Sequence, residues 1–216
     1  NLEKSDQEAL EWKYANKSQF KYIGDGDNNI YLVGDSHMHQ YVKTLAASLD
    51  LSLNRVTNLT AGDSTLICED IRYAKTEEKT HLNEFLSNRR DFLSDLNNGL
   101  IIIAGSYELA LNNLYRFEKK NGHKINKDEF LQCLKDEVKI LRKQGFQIIF
   151  IAPVPFHSVD SLQAYRRYVG KYWGISKRET ASKNLDIGYP REEHDRRTQN
   201  IMNLLTSIEG DGISIF

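Results

Sequence analysis

Ile30-Tyr31-Leu32-Val33-Gly34-Asp35-Ser36-His37 is the stretch that decides how this chain folds. Four residues suited to a buried strand end in a glycine, and a helical pattern begins directly after the Asp-Ser pair. A buried strand that turns sharply into a helix is the opening unit of a parallel α/β sheet. Ligands of such sheets bind in the crevice at the carboxyl ends of the strands. Ser36 is therefore expected to point its hydroxyl into the crevice, near the positive end of the helix dipole. Gly34 permits a tight turn, and the Ser36 amide can face a developing oxyanion. Asp or Ser after a strand is equally an ordinary helix N-cap, and this stretch alone leaves both roles open.

The rest of the chain continues the pattern. Further β-rich runs lie at Arg55–Leu59, Leu100–Ala104, Gln147–Ala152 and Ile213–Phe216, with the opening strand at Asn29–Val33. Leu100-Ile101-Ile102-Ile103 and Ile148-Ile149-Phe150-Ile151 are continuous apolar runs, as strands buried on both faces require. Amphipathic segments fall between them near 38–49, 81–97, 127–144 and 192–208. In the third, Phe130, Leu134, Val138 and Leu141 recur at helical spacing before Gly145. Alternating elements of this length give right-handed βαβ units. The expected fold is a three-layer α/β/α sandwich around a central parallel sheet of about five strands, flavodoxin-like in class. Residues 1–28, with Trp12, Tyr14, Phe20 and Tyr22, look like an N-terminal extension or linker packed on a domain spanning 29–216. About 35 residues, 157–191, form a long insertion near the site, a length that is usually functional or carries its own structure.

Composition narrows the classes. The 216 residues are 40% hydrophobic and 27% charged, which excludes disorder and a disulfide-dense mini-protein. No apolar run approaches the roughly 20 residues of a membrane-spanning helix. Lys and Arg number 29 against 30 Asp and Glu, so no whole-chain attraction to nucleic acid is expected. Cys68 and Cys133 allow one internal disulfide. Cys133 sits in a helical pattern and reads first as a small buried apolar residue, while Cys68, just past a polar loop, is the better disulfide candidate. Pairing with each other or with a cysteine outside the chain stays open. His37 and His39 cannot share one helix face, and no Cys or carboxylate cluster joins them, so no metal site is expected. Gly24-Asp25-Gly26-Asp27 precedes a strand rather than a helix and is no phosphate-binding fingerprint.

A second Gly-Asp-Ser stands at Gly62-Asp63-Ser64. It does not lead straight into a strong helix, so Ser64 is the poorer nucleophile. Its loop falls beside the first at the same sheet edge, and the Gly62 amide is the candidate second oxyanion donor.

The order of these features resembles the SGNH hydrolase superfamily. More narrowly, it is similar to the SGNH domain fused to type 3 membrane acyltransferases that O-acylate bacterial surface polysaccharides. The resemblance rests on Tyr31 to His37, the polar loop Thr60–Cys68, Leu100–Ala104 leading into Gly105, and Ile149–Pro155 ending Ala152-Pro153-Val154-Pro155. It implies Ser36 as catalytic nucleophile. It also implies substrate or supporting contacts at Asp35, His37, Gly105, Ser106 and Tyr107. Two departures stand out. The superfamily's Gly-x-Asn is here Gly105-Ser106-Tyr107, without the Asn that donates to the oxyanion. Its Asp-x-x-His, the general base and orienting carboxylate, is absent, since none of the six histidines follows an Asp by three residues. The catalytic Asp and His are expected beyond Phe216, in a C-terminal segment missing here, so the chain alone is expected to lack its base. His157 emerges at the active-site edge and is the alternative base within the chain. His39 reads as a solvated or capping residue, and His194 as a surface residue.

Without a base Ser36 is a weak nucleophile. Tyr168 and Trp173, in the long insertion, are candidate glycan contacts, with packing of the insertion as the plainer role. The resemblance implies an O-acyltransferase, with acetyl as the expected group and Ser36 carrying it as an ester. The acceptor would be a surface polysaccharide such as lipopolysaccharide. No cofactor is expected on this domain, because the acyl donor would derive from acetyl-CoA through an N-terminal membrane acyltransferase domain of the same polypeptide. The location implied is the periplasmic side of a bacterial inner membrane. A glycan or lipid O-acyl esterase and a non-catalytic glycan-binding module are the alternatives.

Overall fold

The structure is a computed structural model that describes residues 20–62, 66–74, 77–153, 191–210 and 212–216. The chain divides into two units, residues 1–153 with 201–216, and residues 154–200. In the second unit only 191–200 are described, as the start of a helix.

In chain order the elements are β1 (Tyr22–Ile23), β2 (Asn28–Gly34), α1 (Ser36–Ser48), β3 (Asn54–Thr60), β4 (Ile71–Tyr73) and α2 (Glu77–Ser94). There follow β5 (Gly99–Ala104), α3 (Tyr107–Asn112), β6 (Phe117–Lys119), α4 (Lys127–Lys143), β7 (Phe146–Phe150), α5 (Arg191–Ile208) and β8 (Ile213–Ile215). The main sheet has the order β1-β3-β2-β5-β7-β8. Its last five strands are all parallel, and β1 runs antiparallel to β3. Each of the five strands expected from sequence is present close to its expected bounds.

The apolar runs work as two interleaved sets, because side chains alternate across a strand. Ile30, Leu32, Val56, Ile102 and Ala104 share one face with Met38, Val42 and Ala46 of α1. Tyr31, Val33, Ile101, Ile103, Ile148 and Phe150 share the other with Leu93 of α2, Leu134, Val138 and Leu141 of α4, and Ile201 and Leu205 of α5. The result is an α/β sandwich. α4 carries the clearest start signal of any helix here: Asn126 accepts from the Glu129 amide, while the Glu129 carboxylate accepts from the Asn126 amide.

Two features go beyond the sequence reading. Tyr22 and Ile23, assigned there to an extension, pair with Thr57 and Val56, and Ile23 is buried in the core under α1. This makes six strands rather than five. Residues 1–19 and 154–190 lie outside the described residues, and with them most of the expected extension and insertion. The second feature is a separate two-stranded antiparallel sheet, β4 with β6, in the register Ile71↔Lys119, Arg72↔Glu118 and Tyr73↔Phe117. Strands of three residues have too little periodicity to be read from sequence.

This small sheet has its own core, in which Ile67, Ile71, Tyr73, Phe117 and Phe130 pack together. The Cys68–Cys133 disulfide closes it. Cys133 is buried, as expected of a small apolar residue, but its sulfur is bonded, which corrects that first reading. Arg89 of α2 and Glu137 of α4 are buried charged residues. Burial, with the Arg90 charge beside it, lowers the Arg89 pKa to about 10. Burial raises the Glu137 pKa, against the opposing pull of Arg90 and Arg89.

Two measurements follow from this packing. Replacing Cys68 and Cys133 together by Ser removes a cross-link spanning 65 residues and should cost about 2–4 kcal/mol in urea unfolding. A midpoint equal to wild type would show that the small core holds without it. A Glu137 carboxyl whose native pKa lies above its ordinary 4.5 is most favourable to folding while protonated. Wild type should therefore lose stability relative to Glu137→Gln as pH rises through that raised native value. A stability difference that does not change with pH would remove Glu137 from the balance.

Candidate functional site

The chain leaves β2 for β3 on one side and later returns to β5 on the other, so the strand order reverses between β2 and β5. Gly34 is level with Thr60 of β3 and with Ala104 of β5. Three strand ends therefore release Asp35-Ser36, Ala61-Gly62 and Gly105-Ser106 next to one another. A parallel sheet places its ligand crevice at this reversal.

Gly34 is there because nothing larger fits. A Cβ at this position would lie 1.8 Å from the Ala104 carbonyl oxygen and 2.7 Å from the Met38 Cβ. The close approach lets α1 start directly above the end of β5. Asp35 then caps α1, its Oδ1 accepting from the His37 amide at 2.8 Å. Its Oδ2 accepts from the Ser106 amide at 2.7 Å and from the Ser106 hydroxyl. The capping role left open by the sequence thus falls to Asp35. Asp35 is buried and is the cap, whereas Ser36 is the first helical residue and is exposed.

Gly62 follows Ala61, whose amide donates to the Gly34 carbonyl at 3.3 Å. That bond ties the start of the Gly62 loop to the turn that precedes Ser36. Two backbone amides, those of Ser36 and Gly62, are in this way carried on adjacent turns. Gly105 is buried and Ser106 half-buried at the end of β5. Tyr107, which stands where the superfamily has Asn, is 1% exposed and packs in the core shared with Val33 and Leu134. His37 is half-buried beside Ser36.

His39 is half-buried rather than fully solvated, with Nδ1 3.3 Å from the Thr60 hydroxyl. Thr60 Oγ1 in turn donates to Asn58 Oδ1 at 2.8 Å. Sequence reading missed this link because it joins α1 to β3 through residues 21 apart. His157, Tyr168, Trp173 and Ser64 lie outside the described residues, as does the His194 side chain. Among the described residues, no three His, Cys, Asp or Glu side chains form a group that could hold a metal ion.

A small, partly open recess of about 10 Å³, room for about one water, adjoins this turn. Asp35 and Ser106 line it on one side, and Tyr73, Arg116, Phe117 and Leu109 on the other. The last four come from the small second sheet and from the segment between β5 and β6, which carry no sequence signal of a site.

Comparison with known proteins bears on the family and the fold. A family model described as SGNH domain (fused to AT3 domains) matches residues 5–216. Among solved structures, the periplasmic domain of a lipopolysaccharide acetyltransferase from Salmonella ser. Paratyphi A is similar with a TM-score of 0.50 and 16% identity. The match covers 90% of this chain and 67% of that one, and it shows a shared fold. A proposed acylhydrolase from Bacteroides fragilis is similar with a TM-score of 0.37 and 13% identity, over 96% of this chain and 97% of that one. No curated protein matches significantly.

The turn itself can be tested by stability. Asp35→Ala removes a cap and the acceptor for two Ser106 donors, and should cost about 2–4 kcal/mol in chemical unfolding. Gly34→Ala drives a methyl group into backbone and should cost at least about 2 kcal/mol. Wild-type stability in either variant would mean that the three strand ends are held by other contacts.

Proposed function

The chain belongs to the SGNH domains fused to AT3 domains, and on that premise we propose that it transfers an acyl group, acetyl first among the candidates, onto a hydroxyl of a bacterial surface polysaccharide. One observation carries the reading: Ser36 is exposed at the start of α1, while Asp35 takes over the capping that would otherwise occupy a serine there. In the first step the Ser36 oxygen attacks the acyl carbonyl. Its proton passes to a base, the new ester bond forms, and the donor departs with the electron pair of the broken bond. The Ser36 and Gly62 amides stabilise the charged oxygen of the tetrahedral intermediate. In the second step a sugar hydroxyl attacks the ester, loses its proton, and Ser36 recovers its own. The donor derives from acetyl-CoA through the fused membrane domain.

The fusion recorded in the family's description favours transfer over hydrolysis, in which water would replace the sugar. The Cys68–Cys133 disulfide supports a periplasmic location, because such bonds persist in oxidising compartments. Among the described residues no helix is long and apolar enough to cross a membrane.

The test is chemical. Full-length protein incubated with an activated acetyl ester should yield a Ser36 peptide heavier by one acetyl group in mass spectrometry, and Ser36→Ala should not. An unmodified Ser36 peptide, or the same adduct pattern in Ser36→Ala, overturns the mechanism.

A further inference from the structure

Arg89 and Arg90 are consecutive residues of α2, and each donates to a backbone carbonyl outside that helix. Arg89 Nη1 reaches the Leu59 carbonyl near the end of β3 at 3.4 Å. Arg90 Nη2 reaches the Ile67 carbonyl, also at 3.4 Å. Leu59 and Ile67 flank Gly62 in the chain, and the Gly62 amide is the candidate second donor to the oxyanion. Neighbouring positions of a helix point about 100° apart, so one turn of α2 serves both flanks.

Each contact answers a physical need. Arg89 is 3% exposed, and a charge buried that deeply is costly unless it is paired and hydrogen-bonded. Glu137 of α4 is the opposite charge that acts on both arginines. Ile67 is buried and belongs to no strand or helix, so its carbonyl needs a donor from elsewhere. A guanidinium suits these positions because its planar fork can hold a carbonyl with one nitrogen and face a carboxylate with another. Other elements hold the same flanks from other directions. The Ala61 amide donates to the Gly34 carbonyl at 3.3 Å, and His39 of α1 lies 3.3 Å from the Thr60 hydroxyl. Cys68, directly after Ile67, is bonded to Cys133 of α4.

We propose that Arg89 and Arg90 are positioning residues that hold the two flanks of Gly62 and so keep its amide placed beside Ser36. It rests on the transfer reading above and adds the side chains that preorganise the second oxyanion donor. A donor fixed before charge develops costs no reorganisation during the reaction. A misplacement of about 1 Å costs on the order of 100-fold in rate.

Two measurements on the full-length protein separate the anchoring from the chemistry. Hydrogen exchange read by mass spectrometry, with no acyl donor present, follows peptides spanning 58–68. Arg90→Gln should exchange there at least fivefold faster than wild type. Arg89→Gln is made together with Glu137→Gln, so that no buried carboxylate loses its counter-charge, and is compared with Glu137→Gln alone. The same fivefold gain is expected, while peptides from α1 and β5 keep their reference rates. Single-turnover acylation of Ser36 by an activated acetyl ester should slow at least tenfold at saturating ester in both arginine variants. The half-saturating concentration and the final yield of acyl-enzyme should stay unchanged, whereas partial unfolding would lower the yield. Arg90→Lys, which keeps a donor, should recover part of both losses. Arg55→Gln, near the other end of β3, should match wild type in both readouts.

Reference exchange across 58–68 in the arginine variants overturns the proposal. So does faster exchange throughout the domain, which marks a general loss of stability, or the same losses in Arg55→Gln. Acylation at the reference rate once the flanks have loosened overturns it as well. A wild-type protein that never acylates Ser36 loses the transfer mechanism instead, and exchange alone then decides whether the arginines hold the flanks.

Discussion

The carboxylate of Asp35 is the interaction on which the site depends. One oxygen starts α1 and the other holds the beginning of the segment after β5. A buried charge is costly unless its hydrogen bonds are met, and here three donors meet it. The same three bonds set the distance between the two strand ends that flank the crevice. Because Asp35 takes the cap in this way, Ser36 is left exposed as the first residue of α1. The absence of the superfamily's Asn acquires a physical meaning as well. Ser106 spends its amide and hydroxyl on Asp35, and Tyr107 turns into the core, so neither side chain is presented as the superfamily's Asn would be.

The small sheet adds what the main sheet lacks. The main sheet ends at this edge in short residues: Ser36, Gly62 and Ser106. Tyr73, Arg116 and Phe117 bring area, charge and rigidity to one side of it. Their positions are set by backbone pairing and by the Cys68–Cys133 bond rather than by the long strands.

What could be read in advance follows from signal length. Ile30 to Ser36 and Leu100 to Ala104 were legible because a continuous apolar run admits few structures, and because a Gly-Asp-Ser turn after such a run has a limited set of roles. The helix through Phe130, Leu134, Val138 and Leu141 was legible for the same reason, four apolar residues in phase. Ile71–Tyr73 and Phe117–Lys119 were not, since three residues cannot establish a period and their pairing joins segments more than 40 positions apart. Ile23 was misjudged because a two-residue edge strand borrows its stability entirely from β3. The division of labour between Asp35 and Ser36 depended on where Ser106 lies, which only the folded sheet decides. The Cys68–Cys133 pairing had the same limit, since two cysteines show that a bond can exist but not which partner closes it.

The separate core of the small sheet has an evolutionary consequence. Ile67, Tyr73, Phe117 and Phe130 pack mainly on one another and are cross-linked within their own cluster. Changes on the outer side of that cassette leave the Gly34-Asp35 turn untouched. Substitutions within that cluster can therefore be absorbed locally, because its packing and its cross-link involve neither Gly34 nor Asp35.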